Sequence, residues 1–195
     1  MAPITPLSQL DPTGSYTYAD YLTWKFDEFV ELVKGRLLRP MAGPSRLHQV
    51  YFGNIFGEPR QFLKDKPCQV YAAPFDVRLT TAGVNGDQQI TTVVQPDICV
   101  VCAPAKLDDR GCLGAPDWIV EILSPGNTAR DTKIKFDLYE RKRRAGILAG
   151  ISGPESRGCL RARSRAVPAG GRILHARPHP GAHAAGLRAR VERGF

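Results

Sequence analysis

Val93-Val94-Gln95-Pro96-Asp97-Ile98-Cys99-Val100-Val101-Cys102, with Trp118-Ile119-Val120-Glu121-Ile122-Leu123 further on, decides how this chain folds. Both runs are rich in β-branched residues and stay apolar at odd and even positions alike, apart from Gln95, Asp97 and Glu121. A strand with one wet face alternates polar and apolar residues; a strand covered on both faces does not. Each run is therefore predicted as a central strand, Val93 to Cys102 as a single one. Each holds one carboxylate in a segment otherwise suited to burial. A lone buried carboxylate is costly, and it either takes up a proton or finds a cation. Two of them on neighbouring strands could share one Mg²⁺ or Mn²⁺, since hard cations prefer oxygen ligands.

The rest of the chain supplies the frame. Thr17 with Asp20 predicts a capped short helix through about Trp24, and Phe29 to Met41 predicts two short strands around the turn pair Lys34-Gly35. Ser45 caps a helix carrying Leu47, Val50, Tyr51 and Ile55, which Pro59 should kink or divide. Cys68 to Leu79 reads as a strand bent at Ala73-Pro74, Gly83 to Gln89 as a loop, and Ala103 to Pro116 as a connecting loop. Thr128 with Asp131 then caps a helix reaching at least Arg141. This order implies an α/β or α+β domain with one mixed central sheet flanked by helices.

On the last helix Asp131, Lys135 and Tyr139 are spaced i, i+4, i+8 and share one face. A lysine brought to the two carboxylates could orient water or stabilise phosphate charge. Taken alone, Asp131 with Lys135 reads equally well as a surface salt bridge. His48, early in its helix, reads as a structural or surface histidine. Cys99 and Cys102 have the spacing of a metal knuckle but sit in a strand, where residues three apart point to opposite faces. With no second pair nearby, they read as buried core thiols. An odd total of five cysteines argues against a disulfide framework.

Charge separates the chain into two parts. Residues 1–140 carry a net −3 and residues 141–195 a net +11. The excess positive charge therefore says nothing about the domain itself. Of the last 55 residues, 35 are Ala, Gly, Pro or Arg, while Asp, Asn, Gln, Thr, Tyr and Trp are absent. A basic tail that binds nucleic acid would have such charge, and too few large apolar residues remain for a folded subdomain. Out-of-frame translation of GC-rich DNA yields this composition most naturally. Ala145 to Glu155 can be back-translated so that reading one base later gives R-E-Y-W-L-V-S-P-A-R, an aromatic, β-branched run suited to a strand. His175, His179 and His183 have the spacing of a helical metal face, but Pro178 and Pro180 break such a helix.

Several motifs, kept in order, carry a resemblance. They are Tyr18 to Leu22, Glu31 to Gly35, Ser45 to Gln49, Ala73-Pro74-Phe75-Asp76-Val77, Val94-Gln95-Pro96-Asp97, Val120 to Pro125, and Asp131 through Lys135 to Tyr139-Glu140. Together they resemble the Uma-two family, a group assigned to the restriction endonucleases of the PD-(D/E)XK superfamily. The resemblance implies a restriction-endonuclease-like core. It implies that Asp97 and Glu121 are metal ligands, that Lys135 is the catalytic lysine, and that Glu31 helps complete the site. The superfamily usually carries its lysine two residues after the second acid, where this chain has Leu123.

The domains expected are an N-terminal extension over 1–15, a nuclease-like domain over 16–144, and a disordered, out-of-frame tail over 145–195. The last core strand is then expected to be missing. The implied function is hydrolysis of DNA phosphodiester bonds with Mg²⁺ or Mn²⁺, with activity at risk in this form of the chain. The alternative is a non-catalytic nucleic-acid-binding or interaction module of the same fold. DNA is the expected partner, and the resemblance leaves room for a homodimer. No run approaches the ~20 apolar residues of a membrane span, and the N-terminus lacks signal-peptide features, so the expected location is the cytoplasm.

Overall fold

The computed structural model describes residues 6–38, 44–80, 86–123, 133–135 and 137–139, together with the backbone of 145–150 and 159–163. In chain order the elements are α1 (Tyr18–Tyr21), β1 (Glu31–Val33), β2 (Arg36–Leu38), α2 (Arg46–Phe62), β3 (Gln69–Ala72), β4 (Val77–Arg78), β5 (Val93–Val94), β6 (Ile98–Val101), β7 (Leu107–Asp108), β8 (Gly111–Leu113), β9 (Trp118–Leu123), β10 (Ala145–Gly150) and β11 (Cys159–Arg163). Residues 133–135 and 137–139 are helical. The Thr128–Asp131 cap and the helix end at Arg141 lie outside the described residues.

The expected α+β class holds, but the strands form two mixed sheets instead of one. Six strands order as β2-β1-β5-β4-β8-β7 and five as β11-β10-β9-β6-β3. They belong to two units, the first made of residues 1–41, 75–95 and 105–115 and the second of 42–74, 96–104 and 116–195.

In the first unit α1 begins with a capping box: Thr17 Oγ1 accepts from the Asp20 N–H, and an Asp20 carboxylate oxygen accepts from the Thr17 N–H at 2.8 Å. The helix stops at Tyr21, earlier than expected, because the Thr23 hydroxyl and N–H both take the Asp20 carbonyl. Lys34 and Gly35 both have positive φ, 51° and 78°. That is the turn whose twist matches a two-residue hairpin. Leu7, Leu10, Tyr18, Trp24, Val30, Leu32, Ile90 and Val93 form the core of this unit.

The second unit is built on α2 and the five-stranded sheet. Ser45 caps α2 by accepting from the His48 N–H. Ile55 of α2 packs with Ile98, Val120 and Ile122 of the sheet. Pro59 does not divide the helix. It sits in the last turn, where its missing N–H costs one bond, and its own carbonyl accepts from Leu63 at 2.9 Å.

The single strand expected over Val93 to Cys102 is two strands, β5 in one sheet and β6 in the other. Pro96 cannot donate to a ladder, and the Gln95 N–H goes to the Glu31 carboxylate at 2.7 Å. The loop expected over Ala103 to Pro116 contains the β7–β8 hairpin, turning at Asp109-Arg110. The thiol reading holds for Cys99, which is buried and outside the disulfide, but Cys102 is bonded to Cys68. The register Gln69↔Val101 sets those two cysteines opposite one another at the ends of β3 and β6. An odd total excludes complete pairing, not a single bond.

The sheet was expected to lack its last strand. Instead β10 pairs parallel with β9 over six residues, with Leu148 opposite Glu121, and β11 pairs antiparallel with β10. Residues 145–150 and 159–163 are therefore strands, where a disordered tail was expected. Strand pairing is made by the main chain, so an Ala/Gly-rich segment can complete a ladder that its side chains would not have announced. The remainder of 145–195, including His175, His179 and His183, lies outside the described residues. Among the described residues no helix is long and apolar enough to cross a membrane.

Candidate active site

β6 and β9 are adjacent and antiparallel, with Ile98 opposite Val120. One residue further along the same register, Asp97 stands opposite Glu121. The sequence thus brings its two strand carboxylates to one cross-strand position. Asp97 leaves the ladder at the start of β6, where its Oδ2 accepts from the Ile122 N–H at 2.6 Å and its own carbonyl accepts from the Ala73 N–H at 3.1 Å.

Glu121 is buried, with 6% of its surface exposed, and its charge is met by the helix that follows. Lys135 Nζ lies 3.1 Å from Oε1 and 3.2 Å from Oε2, and the Tyr139 hydroxyl donates to Oε1 at 2.6 Å. Lys135 and Tyr139 are one helical turn apart, so both reach the same carboxylate. Asp131 lies outside the described residues.

His48, read from sequence as structural, belongs to this group. Its Nε2 is 3.3 Å from Asp97 Oδ1. The hydrogen bond with Asp97 raises the imidazole pKa above its ordinary value; burial opposes this, and the negative charges of Asp97 and Glu121 add to the rise. Its Nδ1 is buried and has no hydrogen-bond partner among the described residues. Two signals were available: the Ser45 cap, which fixes His48 in the first turn of α2, and the Ser45 to Gln49 motif that contains it. Nothing in the sequence says where that turn points. Tyr139 was placed correctly on the face of Lys135, but its bond to Glu121 was not foreseen.

Glu31 lies in the other unit, on β1. It is buried and accepts the Gln95 N–H. Beside it, Gln95 Nε2 donates to Asp76 Oδ1 at 2.8 Å, and the Tyr21 hydroxyl donates to the same oxygen at 3.2 Å. Burial, followed by the Asp76 charge and hydrogen bond, pushes the Tyr21 hydroxyl well above its ordinary pKa.

Donor chemistry fits a hard divalent ion at Asp97 and Glu121, both of which offer carboxylate oxygens. Among the described residues no group of three or more His, Cys, Asp or Glu is gathered for a metal. Mg²⁺ does not require one, because it is commonly held by one or two carboxylates together with waters and substrate phosphate.

Among curated proteins none matches the chain. A solved structure described as a "putative nuclease belonging to DUF820", from Anabaena variabilis, shares the fold with a TM-score of 0.52 at 16% identity, covering 89% of this chain and 94% of that one. Residues 18–149 match the Uma2 family, described as "Putative restriction endonuclease". The match runs through β9, the helical residues and into β10, a few residues past the limit of 144 expected from the motifs. Across two thirds of its length, then, this chain is a member of the Uma2 family of restriction-endonuclease-like nucleases.

Proposed function

We propose that this chain is a metal-dependent endonuclease acting on phosphodiester bonds in DNA. The observation that best supports it is the meeting of Asp97, Glu121 and Lys135: two carboxylates opposite each other on adjacent strands, and a lysine 3.1 Å from one of them. Asp97 and Glu121 would hold Mg²⁺ or Mn²⁺, which when bound supplies a Lewis acid for the phosphate and lowers the pKa of a bound water. Hydrolysis adds a water oxygen to phosphorus and releases one ester oxygen, which takes up a proton. Lys135 offers ammonium protons beside Glu121, suited to orienting the water or balancing charge that develops on the phosphate. Tyr139 and Lys135 together keep Glu121 fixed. Glu31, which the family resemblance assigns to the site, lies in the first unit and accepts the Gln95 N–H there.

One observation favours a second reading, a nucleic-acid-binding module without catalysis. Lys135 contacts both oxygens of Glu121, so that carboxylate is already neutralised without a metal. Nicking of supercoiled plasmid in Mg²⁺ or Mn²⁺ separates the two readings, with the full chain and a frame-restored version compared against Asp97→Ala. Loss of a metal ligand removes several kcal/mol of transition-state stabilisation, so the variant should nick at least about a hundredfold more slowly. Equal rates in parent and variant would remove the catalytic assignment. DNA binding without nicking in either metal would favour the binding module.

A further inference from the structure

We infer that His48 is a positioning residue for Asp97: its Nε2 holds one carboxylate oxygen in place so that the other groups of the site meet a fixed ligand. The inference rests on the reading of Asp97 as a metal ligand.

Asp97 is held at both oxygens. The main-chain N–H of Ile122 donates to Oδ2 at 2.6 Å, and His48 Nε2 faces Oδ1 at 3.3 Å. The two donors come from different elements, β9 and the first turn of α2. Between them they fix the plane of the carboxylate as well as its position. A single donor would leave the group free to rotate about its last bond.

His48 is itself anchored. Its backbone N–H is taken by the Ser45 side chain at 3.1 Å, and α2 is tied to the sheet through the packing of Ile55 on Ile98, Val120 and Ile122. The imidazole is mostly buried, with 12% of its side-chain surface exposed, so it does not swing freely in solvent. Its other nitrogen, Nδ1, finds no partner among the described residues. A histidine buried for packing alone would ordinarily satisfy both nitrogens or be replaced by an apolar residue, because an unmet buried polar atom is costly. Among the described residues Nδ1 goes unmet while Nε2 is aimed at Asp97. The ring is placed for that contact.

Groups that hold a metal ligand from behind typically affect metal affinity by ten- to a hundredfold. The test is Mn²⁺ binding to the full chain, measured by calorimetry and by the loss of the free-ion paramagnetic signal, with thermal melting of each variant alongside. Glutamine can place its amide nitrogen near the position of Nε2, whereas asparagine is one methylene short and leucine has no donor. We expect His48→Leu and His48→Asn to weaken Mn²⁺ binding about tenfold, His48→Gln to remain within about twofold of the parent on the same scale, and melting temperatures to be similar throughout. If leucine does not fold, the asparagine and glutamine variants, both polar, decide the matter. Parent-like affinity in His48→Asn, or equal weakening in asparagine and glutamine, overturns the role of His48. Parent-like affinity in Asp97→Asn, or no Mn²⁺ binding by the parent, overturns the metal reading itself, and the inference falls with it. The first failure leaves Asp97→Asn impaired and the second does not, so the two are distinguishable.

Discussion

Glu121 is the residue whose surroundings most constrain it. Its carboxylate is buried, and Lys135 and Tyr139 both reach it from one turn of helix. Removing one member of a buried ion pair leaves the other uncompensated, which costs more than the pair contributes. Lys135→Met should therefore destabilise the protein by about 3 kcal/mol. Adding Glu121→Gln to that variant should recover most of the loss, and urea midpoints of the two would show it. Asp108 behaves differently because it is solvent-facing while its partner, Arg78, is only 1% exposed. Burial pushes the Asp108 carboxyl up, but hydrogen bonds from Arg78 and the Arg110 N–H outweigh it and hold the pKa below the ordinary value. A carboxylate depressed in the folded state stabilises above its unfolded pKa, and that contribution is lost as pH falls through the folded one. Stability should thus drop below about pH 4, and Asp108→Asn should flatten the part of the curve due to this pair when urea midpoints are compared between pH 5 and 3. Asp97 and Glu121 stand out in the sequence because charge inside an apolar run is conspicuous, and Lys135 through the helical spacing it shares with Tyr139. His48 was not, because a lone histidine on a helix acquires meaning only from what its turn faces.

The short strands depend on turns that tolerate few residues. Gly111 has φ +118°, and a Cβ there would fall on the carbonyl oxygen of Asp76. That region belongs almost entirely to glycine, and the oxygen is main chain, so it cannot move aside like the end of a side chain. The same Asp76 carbonyl accepts the Cys112 N–H where β8 begins its parallel pairing with β4. Gly111→Ala should cost upwards of about 2 kcal/mol from strain alone and lower the melting temperature more than Gly57→Ala, where a Cβ meets nothing within 4 Å. Hairpins, caps and the β9 strand could be read from sequence since each is local: Thr17 with Asp20, Lys34-Gly35, Ser45. The division of Val93 to Cys102 into two strands is signalled only by Gln95-Pro96-Asp97, where Asp97 reads as a metal ligand and Gln95 as a lone polar exception. The β7–β8 hairpin was missed because Asp109-Arg110 is not a strong turn pair. Cys68 and Cys102 met through register, and register between distant strands is not written in either strand.

Taken together, the first 140 residues carry −3 and the rest +11, so the two parts should respond oppositely to DNA. We propose that residues 145–195 are read out of frame, and sequencing the source DNA around codons 141–146 tests this directly; an intact frame there would refute it. Whatever its origin, a strongly basic segment neutralises phosphates and releases counterions. The full chain should bind DNA without sequence preference and lose affinity steeply with salt, while a chain ending after β11, which keeps seven of the thirteen Lys and Arg beyond residue 140, should show a log–log slope smaller by about half. Connectivity has a separate consequence. Each unit is assembled from three separated stretches, the first closing only at residue 115 and the second drawing on residues 42–74, 96–104 and everything after 116. A ribosome emitting this chain cannot release one finished half and then begin the other. The opening hairpin must wait for β5, β4 and β8, while β3, already made, waits for β6, and α2 for β6 and β9. Sheets closed by such distant partners form slowly, and unpaired edges stand exposed during the delay. Nor can a protease undo the arrangement with one cut: after a nick in any single connection, each half still holds the other by the strands of chain that pass between them.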